Sequence, residues 1–120
     1  MSMGPFHDGW TTDDVEAVIA RGNPHELLYA PIVASLNAAD CPPGWAEAVC
    51  VRLATHPDPL VRGNAIMGFG HIARTCGKLD MTVVGPLMTA ALRDPEPHVH
   101  GQADEACGDL RVFLGVEVER

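Results

Sequence analysis

Apolar residues recur at helical spacing along most of the chain. One run consists of Val61, Ala65, Phe69 and Ile72, and a second consists of Val99, Ala103, Cys107 and Leu110. Spacings of three and four residues are typical of an amphipathic helix that buries one face. We predict helices over residues 12–21, 24–36, 45–55, 59–76, 81–93 and 97–114.

The residues at the ends of these segments support the prediction. Asp58 and Pro59 are suited to open a helix, because proline lacks the N–H that would be left unpaired there and an acid favours the positive end of the helix dipole. Gly77 and Gly115 stand where helices would stop. An interior proline removes a hydrogen bond, so Pro31 should kink its helix.

The second half of the chain contains an internal repeat. Residues 57–65 and 95–103 match in type at every position, with a constant offset of 38 residues. A fixed period of this length is typical of stacked helical hairpins, none of which buries its apolar face alone. We therefore expect an all-α fold, an α-solenoid of about three antiparallel hairpins with six helices. It would form a single domain over residues 11–120, after a flexible N-terminal arm over residues 1–10.

The repeat resembles a known family. Asp58-Pro59-Leu60-Val61-Arg62-Gly63-Asn64-Ala65 is similar to the HEAT-repeat consensus, and residues 97–103 are similar to it with His100 in place of the usual arginine. The resemblance extends over Trp45–Gly115 and is weak in the first forty residues. It implies an α-solenoid, in which Arg62 would belong to a ladder between repeats. We expect Arg62 to pair with Asp58 or with an acid of the neighbouring unit, such as Glu96.

Residues 61–74 are also similar to a stretch of short bacterial HEAT-repeat proteins, a group linked to immunity genes of polymorphic and contact-dependent toxin systems. The family also contains scaffolds, transport receptors and enzymes, so the resemblance indicates fold more strongly than function.

The net charge limits the classes of partner. Eight basic and sixteen acidic residues give a formal charge of −8. Such a chain is poorly suited to nucleic acid or to an anionic membrane surface, both of which require basic residues. A cationic protein is a better match, although acidity can also serve solubility alone. The sequence has no signal-type segment and no run of 18 apolar residues, which favours a cytoplasmic location.

The four cysteines form no CxxC pair, so zinc-ribbon and thioredoxin chemistry are not indicated. We expect free thiols in a reducing compartment, and no cofactor or metal. His98 and His100 point in different directions on a helix and cannot readily share an ion. They are better interpreted as surface histidines.

A polar stripe along successive units is the candidate partner-binding surface. His71 lies one helical turn from Met67 and two from Asn64, and the concave face of a solenoid is its usual ligand face. In the alternative interpretation His71 is a core histidine bonded to a carbonyl of the adjacent repeat. Phe113 would add apolar contact. The candidate residues are Glu26, Tyr29, Asn64, Met67, His71, Gln102, Asp104, Glu105 and Asp109.

Enzyme functions receive little support from the sequence. The chain has no GxSxG, phosphate-loop or HExxH motif, and His25-Glu26 occurs once, whereas HEAT-like hydroxylases repeat that pair. HEAT-like lyases remain a remote alternative. We predict a binding protein that is monomeric when free, specifically an immunity protein that neutralises a basic nuclease toxin. A scaffold or accessory subunit of a larger complex is the alternative.

Overall fold

The computed structural model describes residues 3–120, and every extended element of regular structure in this part of the chain is helical. The predicted all-α class is therefore confirmed. The helices are α1 (Thr12–Arg21), α2 (Pro24–Leu27), α3 (Ala30–Leu36), α4 (Trp45–Leu53), α5 (Pro59–Cys76), α6 (Met81–Leu92) and α7 (Pro97–Leu114), with a 3-10 turn at Ala38–Asp40.

The predicted second helix is interrupted, and α2 and α3 are its two halves. Pro31 has no N–H to donate to the carbonyl of Leu27, and this lost hydrogen bond favours the interruption seen here. The chain turns at Leu28 and Tyr29, and α3 begins at Ala30. With the two halves taken together, residues 3–120 contain the six helices that the sequence predicts.

Side-chain caps and glycines fix the helix ends. Asp58 accepts a hydrogen bond from the N–H of Leu60 at 2.8 Å and so caps α5. Gly77 and Gly115 adopt left-handed φ values of 70° and 66°, which glycine tolerates without strain, and they end α5 and α7 as predicted.

Helix α5 is the centre of the packing. It contacts α3, α4 and α7, and its contact with α7 is the most extensive in the structure. Short links join α4 to α5 and α6 to α7, so each pair runs antiparallel. The predicted apolar stripes of α5 and α7 are buried, and each large apolar side chain in them contributes roughly 1.5–3 kcal/mol relative to exposure. Leu36, the last residue of α3, is exposed.

Both terminal segments lie against the helices. Phe6 is buried and meets Trp10 edge to face, with ring centroids 6.4 Å apart. These residues belong to the predicted arm, of which residues 1 and 2 lie outside the described part. At the other end, the hydroxyl of Thr89 donates to the carbonyl of Glu119, and Val118 packs against the core. The last residues therefore run back over α6.

Three of the five small residues in α5 and α7 permit close packing. A Cβ on Gly63, Gly68 or Gly70 would collide with His98, Cys50 or Asp109 respectively. A Cβ on Gly101 or Gly108 would meet no atom within 4 Å, so close packing does not require glycine at these two positions. Within residues 3–120, no helix combines the length and the hydrophobicity needed to cross a membrane.

Candidate functional site

The nine candidate residues differ widely in exposure. Asp104 and Glu105 are exposed, Asn64 is buried, and the half-buried ones are Glu26, Tyr29, Met67, His71, Gln102 and Asp109. The stripe is therefore a mixture of residues that join helices and residues that are free to meet a partner.

Asn64 joins three parts of the fold. Its Nδ2 donates to the carbonyl of Leu28 at 2.9 Å, and its Oδ1 lies 3.0 Å from Nε2 of His98. The break between α2 and α3 makes that carbonyl available, and Gly63 leaves room for the His98 ring. Asn64 is only 7% exposed, so its amide is used inside the molecule and we leave it out of the proposed binding surface.

His71 joins α5 to α3 through a side chain. Its Nδ1 lies 3.0 Å from the hydroxyl of Ser35, whereas the sequence-based alternative expected a backbone carbonyl as partner. Burial lowers the pKa of His71 below its ordinary 6.5, and the nearby charge of Arg74 lowers it further. Asp109 acts in the opposite direction. The lowered pKa of His71 favours the neutral ring, which lies beside the Ser35 hydroxyl.

Ser35, His71 and Asp109 are the residue types of a nucleophilic triad. A substrate could not reach the serine, however, because Ser35 is buried. Ser35 is 0% exposed, and its hydroxyl also lies 3.4 Å from the carbonyl of Ile32. A catalytic serine must reach the substrate. The hydroxyl of Ser35 is therefore a link between helices rather than a nucleophile.

Two acidic candidates form internal ion pairs. Glu26 accepts from Arg21 at 3.1 Å, and Asp104 accepts from Arg120 at 3.0 Å. Exposed pairs of this kind contribute little to stability. Both carboxylates are nonetheless partly neutralised, which leaves less of their charge for a partner.

Gln102 is a half-buried residue of α7. Its Oε1 is buried and accepts no hydrogen bond from the described residues. Gln102 is therefore not part of the exposed surface of α7.

One face of α7 combines three exposed side chains with the half-buried carboxylate of Asp109. Glu105 and Asp109 form no ion pair with any residue of the described chain, and Val112 and Phe113 follow them. Positions i, i+4, i+7 and i+8 lie on one helical face. Val112 is 72% exposed and Phe113 is 45% exposed. We call these four residues the α7 stripe.

Val112 was missed by the sequence analysis. Its spacing from Glu105 and Asp109 was visible, but the helical pattern does not distinguish a terminal helix with an open side from one covered by another hairpin. The exposure of Val112 depends on the absence of a further helix over α7 in the described chain, which only the three-dimensional arrangement reveals.

Metal-ligating groups do not cluster in the described chain. Residues 3–120 hold no group of three or more His, Cys, Asp or Glu side chains placed to bind one ion. His98, which was interpreted as a surface histidine, is half-buried and bonded to Asn64. The prediction of a surface histidine is wrong because Gly63 has no side chain and so leaves room for the His98 ring against α5.

Compared with protein-family models, with curated proteins and with solved structures, the chain matches none of them.

Proposed function

We propose that the chain is a protein-binding module, a short HEAT-type α-solenoid that binds one basic protein partner through the α7 stripe. Two features support the solenoid. The repeat offset of 38 residues relates α5 to α7, and these two helices make the most extensive contact in the structure. Helix α3 also packs against α5, as stacked hairpins would require.

The observation that carries the binding proposal is the composition of the α7 stripe. Two carboxylates without internal cations stand in line with two exposed apolar side chains on the last helix. Single exposed apolar residues are ordinary, whereas adjacent ones beside unpaired charges favour a contact surface. The carboxylates would steer a cationic partner, and Val112 and Phe113 would be buried on docking.

The most specific form of the proposal is an immunity protein that neutralises a bacterial toxin, whose partner is a basic nuclease domain. This form rests on the resemblance of residues 61–74 to short bacterial HEAT-repeat proteins and on the net charge of −8. An acidic inhibitor would compete with the phosphates of the nucleic acid for the cationic active-site cleft.

The test compares three versions of the tagged protein. Wild type, a Glu105→Lys/Asp109→Lys variant and a control with Asp8→Lys/Asp13→Lys are each incubated with extract of the native host. The control makes the same change of charge far along the sequence, at exposed residues without ion pairs. Captured proteins are identified by mass spectrometry, and the purified partner is titrated by calorimetry.

We expect one basic protein to be captured by wild type and by the control. The stripe variant should bind it at least about tenfold more weakly, which corresponds to about 1.4 kcal/mol. The single variant Glu105→Lys controls for misfolding. Because Glu105 is exposed, this variant should fold normally, and a loss of affinity in it reflects the binding surface. Equal affinity of all three proteins would refute the proposed surface. Capture of a multi-subunit assembly by all three would favour the scaffold alternative.

A further inference from the structure

A second concave site lies away from the α7 stripe, between the 3-10 turn, the start of α4 and the end of α5. Its volume is about 660 Å³. Ligand cavities in proteins are commonly about 300–1,000 Å³, so this one has room for a small molecule. Ala38 and Ile72 give it apolar walls, and Lys78, Glu47 and Asp80 provide charged groups at its edge.

Two thiols line this cavity. Cys41 lies in the bend after the 3-10 turn and is half-buried, and Cys76 is the exposed last residue of α5. They are distant in sequence, and the fold brings both to one surface. The remaining cysteines, Cys50 and Cys107, are buried and do not line the cavity.

The surroundings of Cys41 raise the pKa of its thiol. Burial raises the pKa of Cys41, the charge of Asp40 raises it further, and Cys76 is the third contributor. A contribution from Cys76 requires the thiols to lie near each other, in agreement with their common cavity. The hydroxyl of Thr75 lies 3.7 Å from the sulfur of Cys76.

We propose that Cys41 and Cys76 form a thiol–disulfide exchange site that reacts with low-molecular-weight disulfides and closes to an intramolecular disulfide. The exposed Cys76 is the attacking group. Its thiolate, formed by loss of a proton to water, attacks one sulfur of the small disulfide. The S–S bond of that molecule breaks, and one half leaves as a thiolate.

The second step resolves the mixed disulfide. The thiolate of Cys41, after losing its proton to water, attacks the sulfur of Cys76 and releases the other half of the small molecule as a second thiolate. The two cysteines are thereby oxidised by two electrons, and the small disulfide is reduced to two thiols. Cys41 lies outside any helix, in the bend that follows the 3-10 turn.

The test uses the reduced full-length chain and glutathione disulfide as the probe. Wild type should lose two of its four thiols, and its intact mass should fall by two hydrogen atoms without a retained glutathione. Digestion without reductant should give one peptide pair that links Cys41 to Cys76. Cys50 and Cys107 should become alkylated only after unfolding.

The Cys41→Ser variant separates the two steps. It should retain one glutathione on Cys76, because the resolving thiol is absent. The Cys76→Ser variant should lose the rapid phase of the reaction, because its attacking thiol is missing. A stable glutathione adduct on the wild-type protein, a disulfide that involves Cys50 or Cys107, or no reaction at Cys76 would each overturn the proposal.

Discussion

Arg62 donates from Nε and Nη2 to both carboxylate oxygens of Asp94, over distances of 2.8 and 3.1 Å. Its Nη1 also donates to the carbonyls of His56 and Pro57. One guanidinium therefore joins the turn before α5 to the end of α6. The sequence predicts Asp58 or an acid of the neighbouring unit, such as Glu96, as the partner of this arginine. The partner is an acid of the neighbouring unit, but it is Asp94, whereas Asp58 caps α5 and Glu96 stands at the N-cap of α7.

Replacing Asp94 should cost more than replacing the acid of an exposed pair. The Arg62 and Asp94 side chains are 19% and 13% exposed, whereas Arg120 and Asp104 are 66% and 56% exposed. We expect Asp94→Asn to lower the free energy of unfolding by about 2 kcal/mol, since Arg62 would keep a half-buried charge without its counter-ion. Asp104→Asn should change it by less than about 0.5 kcal/mol. Urea denaturation of both variants measures the contrast, and equal losses would contradict it.

The Arg62–Asp94 pair should also make the free energy of unfolding depend on pH in the acid range. Arg62 lowers the pKa of Asp94 below its ordinary 3.8, so the folded state holds this proton less strongly than the unfolded state. The stabilisation is complete above that ordinary value and is lost as pH falls through the folded-state pKa. Between about pH 5 and about pH 3, Asp94→Asn should therefore lose less stability than wild type. A parallel decline of the two proteins would argue against a lowered pKa.

The helices could be predicted from the sequence because the information is local. Caps such as Asp58, stops such as Gly77 and the apolar spacing of Val61 and Phe69 act within a few residues. The contacts between helices could not be predicted in this way. That Arg62 finds Asp94 depends on how α5 and α6 are turned relative to each other, which no local pattern records.

For the candidate surface, too, the local helical pattern could be predicted and the contacts between helices could not. Helical spacing placed Glu105 and Asp109 on one face of α7 correctly, but it also assigned Asn64 to the surface. Polarity alone does not reveal that an amide is used internally. The partners of Asn64 are distant in sequence: the carbonyl of Leu28 belongs to the turn between α2 and α3, and the ring of His98 belongs to α7.

Removing the amide of Asn64 should be strongly destabilising. Asn64→Ala would leave the carbonyl of Leu28 and the ring of His98 without partners in a buried region, and we expect a loss of about 2–3 kcal/mol. Asn64→Asp should be no better, because a carboxylate cannot donate to that carbonyl. Thermal melts report both, and Asn23→Ala, at an exposed cap, serves as comparison. Retention of the wild-type melting temperature by Asn64→Asp would show that the bond to Leu28 is dispensable.

Two helical glycines should respond to alanine with opposite signs. A Cβ on Gly68 would lie 2.5 Å from the sulfur of the buried Cys50, so Gly68→Ala should cost about 1–3 kcal/mol. A Cβ on Gly108 would meet nothing within 4 Å, and Gly108→Ala should add about 0.5–1 kcal/mol through helix propensity. Denaturant midpoints measure both effects: relative to wild type, the midpoint should fall for Gly68→Ala and rise for Gly108→Ala. Stabilisation by both substitutions would mean that Cys50 moves aside freely.

His71 should contribute a pH dependence on the acid side of neutrality. Its pKa is lowered below 6.5 by burial and by Arg74, so the unfolded state takes up this proton before the folded state does. Its contribution is complete above 6.5 and is lost as pH falls through the folded-state pKa. Between about pH 7 and about pH 5.5, His71→Gln should lose less stability than wild type, and His25→Gln, at an exposed residue, should behave as wild type.

An NMR titration of the His71 ring tests the cause directly. The midpoint should lie below 6.5 in wild type. It should rise in Arg74→Gln, which removes a neighbouring positive charge, and fall in Asp109→Asn, which removes the opposing carboxylate. Opposite shifts in these two variants would place the ring between those charges, as the structure does. A wild-type midpoint at or above 6.5 would show that solvent reaches the ring and that its bond to Ser35 does not keep it neutral.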